Sequence, residues 1–93
     1  MNNMKNKVLV KIIFPETEDE FDVFIPVNEY VWKVNKLITK TICDLVGIEF
    51  DLKTTDYVFF NKTDGTIYRS NDLIINTNIR NGTELVMLKT SNN

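Results

Sequence analysis

Only one stretch of this chain repeats with helical spacing, and the segments on both sides of it alternate with the period of a strand. Residues 29–46 hold Val31, Val34, Ile38, Thr41 or Ile42, and Leu45 along one side, with Leu37 widening the stripe. That i, i+3, i+7 recurrence makes one apolar face on a helix and none on a strand. Lys33, Lys36 and Lys40 fall on the other side, which reads as a solvated face. Asn28 stands where a side-chain oxygen can accept from the first free amides, and Glu29 suits the positive end of the helix dipole. Gly47 follows directly, in the place where a left-handed residue is wanted. At about 1.5 Å per residue the predicted helix is about 27 Å long, enough to cross one face of a small sheet.

With one helix, the rest of the core must come from strands. In residues 7–14, Val8, Val10, Ile12 and Phe14 share one parity, while Leu9, Lys11 and Ile13 share the other; Pro15 then ends the strand. Glu16, Thr17, Glu18, Asp19 and Glu20 read as an acidic hairpin connection; a calcium loop would want alternating ligands and a glycine-assisted turn. Residues 21–27 form a second strand, with Phe21, Val23 and Ile25 on one side and Asp22 and Phe24 on the other, and Pro26 assigns it an edge or a strand end. After the helix, Ile48, Phe50 and Leu52 anchor a connection to a third strand at residues 57–60. Asp64-Gly65 marks a tight turn, residues 66–69 a short fourth strand, Leu73-Ile74-Ile75 a helical or 3₁₀ piece, and residues 83–89 the last strand. By local pattern alone, Asn81-Gly82 fits a two-residue hairpin as well as it fits a turn leading into that last strand.

Two strands, a helix and three strands, with a right-handed crossover, place the last strand beside the first and parallel to it. The expected fold is α+β: a β-grasp, a mixed sheet of four to five strands packed on one helix. The expected organisation is a flexible tail at 1–6, one domain at 7–89 and a flexible tail at 90–93.

Composition narrows the chemistry. The 93 residues include no histidine, which removes histidine-activated nucleophiles and histidine metal sites. A single cysteine, Cys43, makes neither an internal disulfide nor a paired-cysteine site. Three scattered glycines, Gly47, Gly65 and Gly82, write no phosphate-cradling loop. The sequence therefore points away from an enzyme and offers no catalytic, cofactor or metal residues. Net charge of −2 is the wrong sign for a nucleic-acid partner. No apolar run approaches the roughly 20 residues of a bilayer span, and residues 1–7 lack a signal-peptide core, so the expectation is a cytoplasmic protein with no direct membrane insertion.

The C-terminal half resembles ubiquitin-like domains: Asp64-Gly65-Thr66-Ile67-Tyr68, then Leu73 through Ile79-Arg80-Asn81-Gly82-Thr83 and a closing Leu85-Val86-Met87-Leu88. This likeness favours the turn at Asn81-Gly82 over the plain hairpin. With Val8-Leu9-Val10-Lys11-Ile12, Phe21 through Pro26, Val34 through Ile38 and Asp44 through Ile48, the chain is similar to the EsaB/YukD family, small ubiquitin-like accessory proteins of Gram-positive type VII (WXG100) secretion systems. Departures from that pattern are a longer strand-to-helix junction at residues 27–33 and a tail past Leu88. The resemblance implies a non-catalytic accessory or regulatory component; the alternative is a generic ubiquitin-like adaptor of another pathway. Ubiquitin is conjugated through a terminal Gly-Gly, and the residues after Leu88 read Lys89-Thr90-Ser91-Asn92-Asn93, so no conjugation is expected.

One helix covers one face of a sheet. It is expected to cover Val8, Val10, Ile12, Val23, Ile25, Tyr57, Phe59, Leu85 and Met87. By parity the other face holds Leu9, Lys11, Ile13, Phe24, Val58, Phe60, Val86 and Leu88, with Leu9, Val86 and Val58 expected side by side. Each large apolar side chain left in water forgoes about 1.5–3 kcal/mol of burial. Such a patch marks an interaction site, and ubiquitin-like domains generally use this face. The expected occupant is a protein partner, among them secretion-system membrane components, or a second copy forming a homodimer. Trp32 is expected to staple against Val27 at the helix start, and Cys43 to be a half-buried, inert thiol.

Overall fold

The computed structural model describes residues 6–51 and 56–90. Its elements are β1 (Lys7–Phe14), β2 (Asp19–Pro26), α1 (Val31–Val46), β3 (Tyr57–Asn61), a 3₁₀ turn (Ile74–Asn76) and β4 (Glu84–Lys89). The sheet order is β2-β1-β4-β3. β1 pairs antiparallel with β2 and parallel with β4, and β3 pairs antiparallel with β4. The last strand thus lies beside the first, and the fold is an α+β β-grasp with a four-stranded mixed sheet. The expected strand at residues 66–69 is a single bridge, Ile67 to Phe60. Asp64 and Asn61 explain why: their side chains accept from the Thr66 and Thr63 amides, and the segment closes as turns rather than as a ladder.

Val10, Ile12, Phe14, Ile25, Tyr57, Leu85 and Met87 are buried on the sheet's inner face against Val34, Ile38, Ile42 and Cys43 of α1. Val8, Val23 and Phe59 are half-buried and pack on the same cluster. Phe14 and Tyr57 meet edge to face with ring centroids 5.6 Å apart. The buried face of α1 is turned relative to the expected stripe: Thr39 and Cys43 are buried, whereas Leu37 and Leu45 are exposed. The extended side of the stripe therefore overhangs the edge of the sheet.

The helix begins at Val31, capped by Tyr30 without a side-chain bond, not at Asn28. Backbone carbonyls do the capping. The Val31 amide donates to Asp72 O at 2.9 Å and the Trp32 amide to Ser70 O at 3.2 Å. This junction is also tied to the 3₁₀ turn, because Ile74 and Ile75 donate to Glu29 O and Val27 O. With the junction extended and paired, Asn28 lies too early to serve the first helical amides. At the other end Gly47 adopts φ 81°, and its amide and that of Ile48 both reach Cys43 O.

Asn6 and Thr90, the innermost residues of the expected tails, are engaged: Asn6 O accepts from Val27 and Thr90 N donates to Asp56 O. The rest of those tails, and the expected anchor Leu52, lie outside the described residues.

Candidate protein-docking surface

The parallel register of β1 and β4 decides how the open face is arranged. Lys11 pairs with Glu84 and Ile13 with Val86. The stagger is set at the entry to β4, where Leu9 N donates to Asn81 Oδ1 and Gly82 N donates to Leu9 O, both at 2.8 Å. Asn81-Gly82 is thus a turn leading into the closing strand, and its side chain finishes the edge of β1.

Four rows of side chains follow, about 6.6 Å apart at two residues per step. The first holds Phe24 and Leu9. The second holds Asp22, Lys11, Glu84 and Lys62, alternating in sign across the whole sheet. The third holds Glu20, Ile13, Val86 and Phe60, and the fourth Leu88 and Val58. Leu9, Val86 and Val58 are therefore not side by side. Leu9 stands two rows from Val86, since β4 enters the sheet only after Gly82.

All eight expected residues share the open face, but the charged row divides them. Phe24 (49% exposed) and Leu9 form a small patch at one end. Ile13, Val86, Phe60, Leu88 and Val58 form a larger one, with Leu88 exposed and the other four half-buried among themselves. Lys11 belongs to the divider: its Nζ lies 3.4 Å from Glu20 and 3.9 Å from Asp22. Lys62 and Glu84 pair at 3.7 Å. Exposed pairs like these contribute about 0–1 kcal/mol, so their main effect is to keep a wet, directional stripe between two apolar areas.

Sequence reasoning missed Ile67, 66% exposed and opposite Phe60 across the isolated bridge, which widens the larger patch at the β3 edge. The alternation of Thr66, Ile67, Tyr68 and Arg69 was the available signal. Beneath it, Tyr68 packs inward and accepts from Asn61 Nδ2 at 3.2 Å. Its hydroxyl donates to Asn78, whose amide donates to Asp64 at 2.9 Å. Donation from Thr66 and Asn78 holds the Asp64 carboxyl below its usual range. This network fixes the turn that carries Ile67.

Two other expected residues sit differently. Trp32 is exposed, with Lys36 Nζ 5.6 Å from its ring centroid, while Val27 packs on the main core. Cys43 is fully buried, deeper than expected, because the helix turns that side onto the sheet. Burial first, and then the Glu16 carboxylate, raises its thiol pKa, which favours the unreactive protonated form. Among the described residues, no cluster of three or more acidic, cysteine or histidine side chains is placed to hold a metal ion, and no helix is long and apolar enough to cross a membrane.

No protein-family model matches the sequence, and comparison with curated proteins finds no match. Solved structures do match. The chain is similar to the EccD5 ubiquitin-like domain from Mycobacterium xenopi, with a TM-score of 0.72 and 14% identity over 94% of this chain and 98% of that one. It is similar to a chain of the MycP5-free ESX-5 inner membrane complex, with a TM-score of 0.73 and 14% identity over 95% of its own length; it spans only 22% of that larger chain. The N-terminal ubiquitin-like domain of the 4931431F19Rik protein gives a TM-score of 0.70 and 19% identity, over 95% of this chain and 79% of that one. The one-helix, four-strand arrangement and these likenesses together make the fold a ubiquitin-like β-grasp.

Proposed function

We propose that this chain is a non-catalytic ubiquitin-like protein that serves a bacterial type VII secretion system as a cytoplasmic accessory or regulatory component. It works by docking a protein partner on the open face of its sheet. The observation that carries this reading is the larger apolar patch of Ile13, Val86, Phe60, Leu88 and Val58, which no element among the described residues covers. The link to secretion is supported by the sequence resemblance to type VII accessory proteins. It is supported again by the fold likeness to a chain of an inner membrane complex and to the EccD5 domain. The partner is accordingly a membrane component of the secretion apparatus, with a second copy of the chain as the other candidate occupant.

A second reading, a ubiquitin-like adaptor of another pathway, is favoured by the comparable likeness to the 4931431F19Rik domain. One experiment separates them. Affinity purification from the native bacterium, followed by mass spectrometry, is run with the wild type and with a Val58→Asp, Val86→Asp variant. The proposal expects secretion-system membrane proteins with the wild type and their loss with the variant. Recovery of an unrelated assembly supports the adaptor. Unchanged recovery, together with an unchanged sedimentation profile, contradicts the use of this face.

A further inference from the structure

A second apolar surface lies on the other side of β2, away from the open face. Leu37, Thr41 and Leu45 form an i, i+4, i+8 row along α1, with Leu37 55% and Leu45 67% exposed. With Phe21 and Val23 of β2 they line a groove of ≈ 540 Å³ between helix and strand. This side of the helix faces the edge strand rather than the middle of the sheet, so Leu37 and Leu45 stand beside Phe21 to Pro26 of β2.

Among the described residues, backbone groups of that edge have no partner. Leu9 and Lys11 direct their N–H and C=O toward β4, since Gly82 N donates to Leu9 O and Lys11 N donates to Thr83 O. Their neighbours Val8, Val10 and Ile12 therefore face β2 and bond to Ile25, Val23 and Phe21. Glu20, Asp22 and Phe24 then point their N–H and C=O outward, and β2 is the last strand of the sheet. Pro26, which has no N–H, ends this row.

Charge selects the occupant. Glu18, Asp19, Glu20 and Asp22 crowd the turn and the first half of β2, while the Glu16 carboxylate turns to Tyr57, and Lys11 is paired to Glu20 and Asp22. The helix lysines do not offset them: Lys33 pairs with Glu29, Lys40 with Asp44, and Lys36 lies over Trp32. A second copy pairing antiparallel through this strand would lay Glu20 and Asp22 of each copy along the Phe24–Pro26 half of the other and bring no lysine or arginine to the acidic rim. We propose that the α1–β2 groove and the free edge of β2 take an extended segment of a partner protein, apolar at alternate positions and flanked by lysine or arginine. Its backbone adds a strand to the sheet, its apolar side chains fill the groove over Leu37 and Leu45, and its basic flank meets the acidic rim. The groove itself lies on the helix side of the sheet and borders the open face along β2, where Glu20, Asp22 and Phe24 present their side chains, and the site does not depend on the function proposed above.

The test uses two synthetic peptides with the same Val-Thr-Val-Thr-Val core, one flanked at both ends by Lys-Arg-Lys and the other by Glu-Asp-Glu. Each is titrated into the full ¹⁵N-labelled chain. The basic peptide is expected to bind at least tenfold tighter, shifting the amides of Glu20, Asp22 and Phe24, and to weaken as salt rises. A Leu37→Asp, Leu45→Asp variant should lose at least tenfold in affinity, while Leu88→Asp should not; preserved amide spectra show that both are folded. No binding, equal binding of the two peptides, or shifts centred on Phe60, Val86 and Leu88 would overturn the proposal and leave the acidic residues as guards of an exposed edge.

Discussion

The two faces of this sheet are built from much the same side chains, and one is dry while the other is half wet. Below the helix, Val10, Ile12, Phe14, Leu85 and Met87 are buried without interruption. On the outer side, Leu9, Ile13, Val58, Phe60, Val86 and Leu88 alternate with them residue by residue, yet reach only partial burial and are crossed by the Asp22-Lys11-Glu84-Lys62 row. Apolar alternation on both parities normally signals a sheet covered on both sides. Here α1 supplies one cover, and no element among the described residues supplies the other. The difference teaches how such a chain can divide its apolar area: the inner face holds the chain folded, and the outer face leaves apolar area in water that the proposed docking would cover.

Deleting a side chain from each face gives the largest contrast. Phe14→Ala, on the dry side, should cost about 3–5 kcal/mol, a large share of the 5–15 kcal/mol available to a domain of this kind. Urea titration followed by circular dichroism measures it, and a cost under 1 kcal/mol would mean that the two faces do not differ as described.

An intermediate effect concerns the polar edge of the dry side. Tyr57 donates to Glu16 Oε1 at 3.0 Å, and burial, then the bond and charge of Glu16, raises its pKa above the ordinary 10.0. A raised folded value means that the fold favours the neutral phenol. That contribution is present below pH 10 and is lost as pH climbs toward the raised value; the Cys43 thiol, raised from 9.0, acts in the same direction. Tyr57→Phe should cost about 0.5–1.5 kcal/mol at pH 7. It should also lose less stability than the wild type between pH 8 and pH 11, as thermal melts across that range would record.

The smallest effect is expected outside. Leu88→Ser, at an exposed position, should change stability by about 0.5 kcal/mol or less, while reducing recovery of the partner. A melt and a pull-down on the same variant sharpen the comparison, since a residue that matters for binding and not for folding belongs to the docking face.

Much of this was legible in the sequence because periodicity reports which side of an element is apolar. The single helix, the hairpin, Pro26 at a strand end, Gly47 past the helix and both parities of β1 were read from spacing alone. What escaped reading depends on register and rotation. The Asn81 side chain and Gly82 amide set the β1–β4 stagger, and that stagger, not composition, lined Lys11 up with Glu84 and split the patch. A small rotation of α1 buried Cys43 and left Leu37 and Leu45 over the sheet edge. The cap at Tyr30 was hidden because its partners are carbonyls of Ser70 and Asp72, some forty residues away in sequence. Ile67 was passed over as a member of a short strand, though its exposure comes from the polar turn beneath it.

Site-specific cross-linking tests the role of the open face most directly. A photoreactive amino acid replaces Leu88 in one strain of the native bacterium and Thr63, in the polar turn, in another. The account predicts an adduct between the position 88 variant and a membrane protein of the secretion apparatus, and none from position 63. Equal labelling from the two positions, or adducts from position 63 alone, would contradict it.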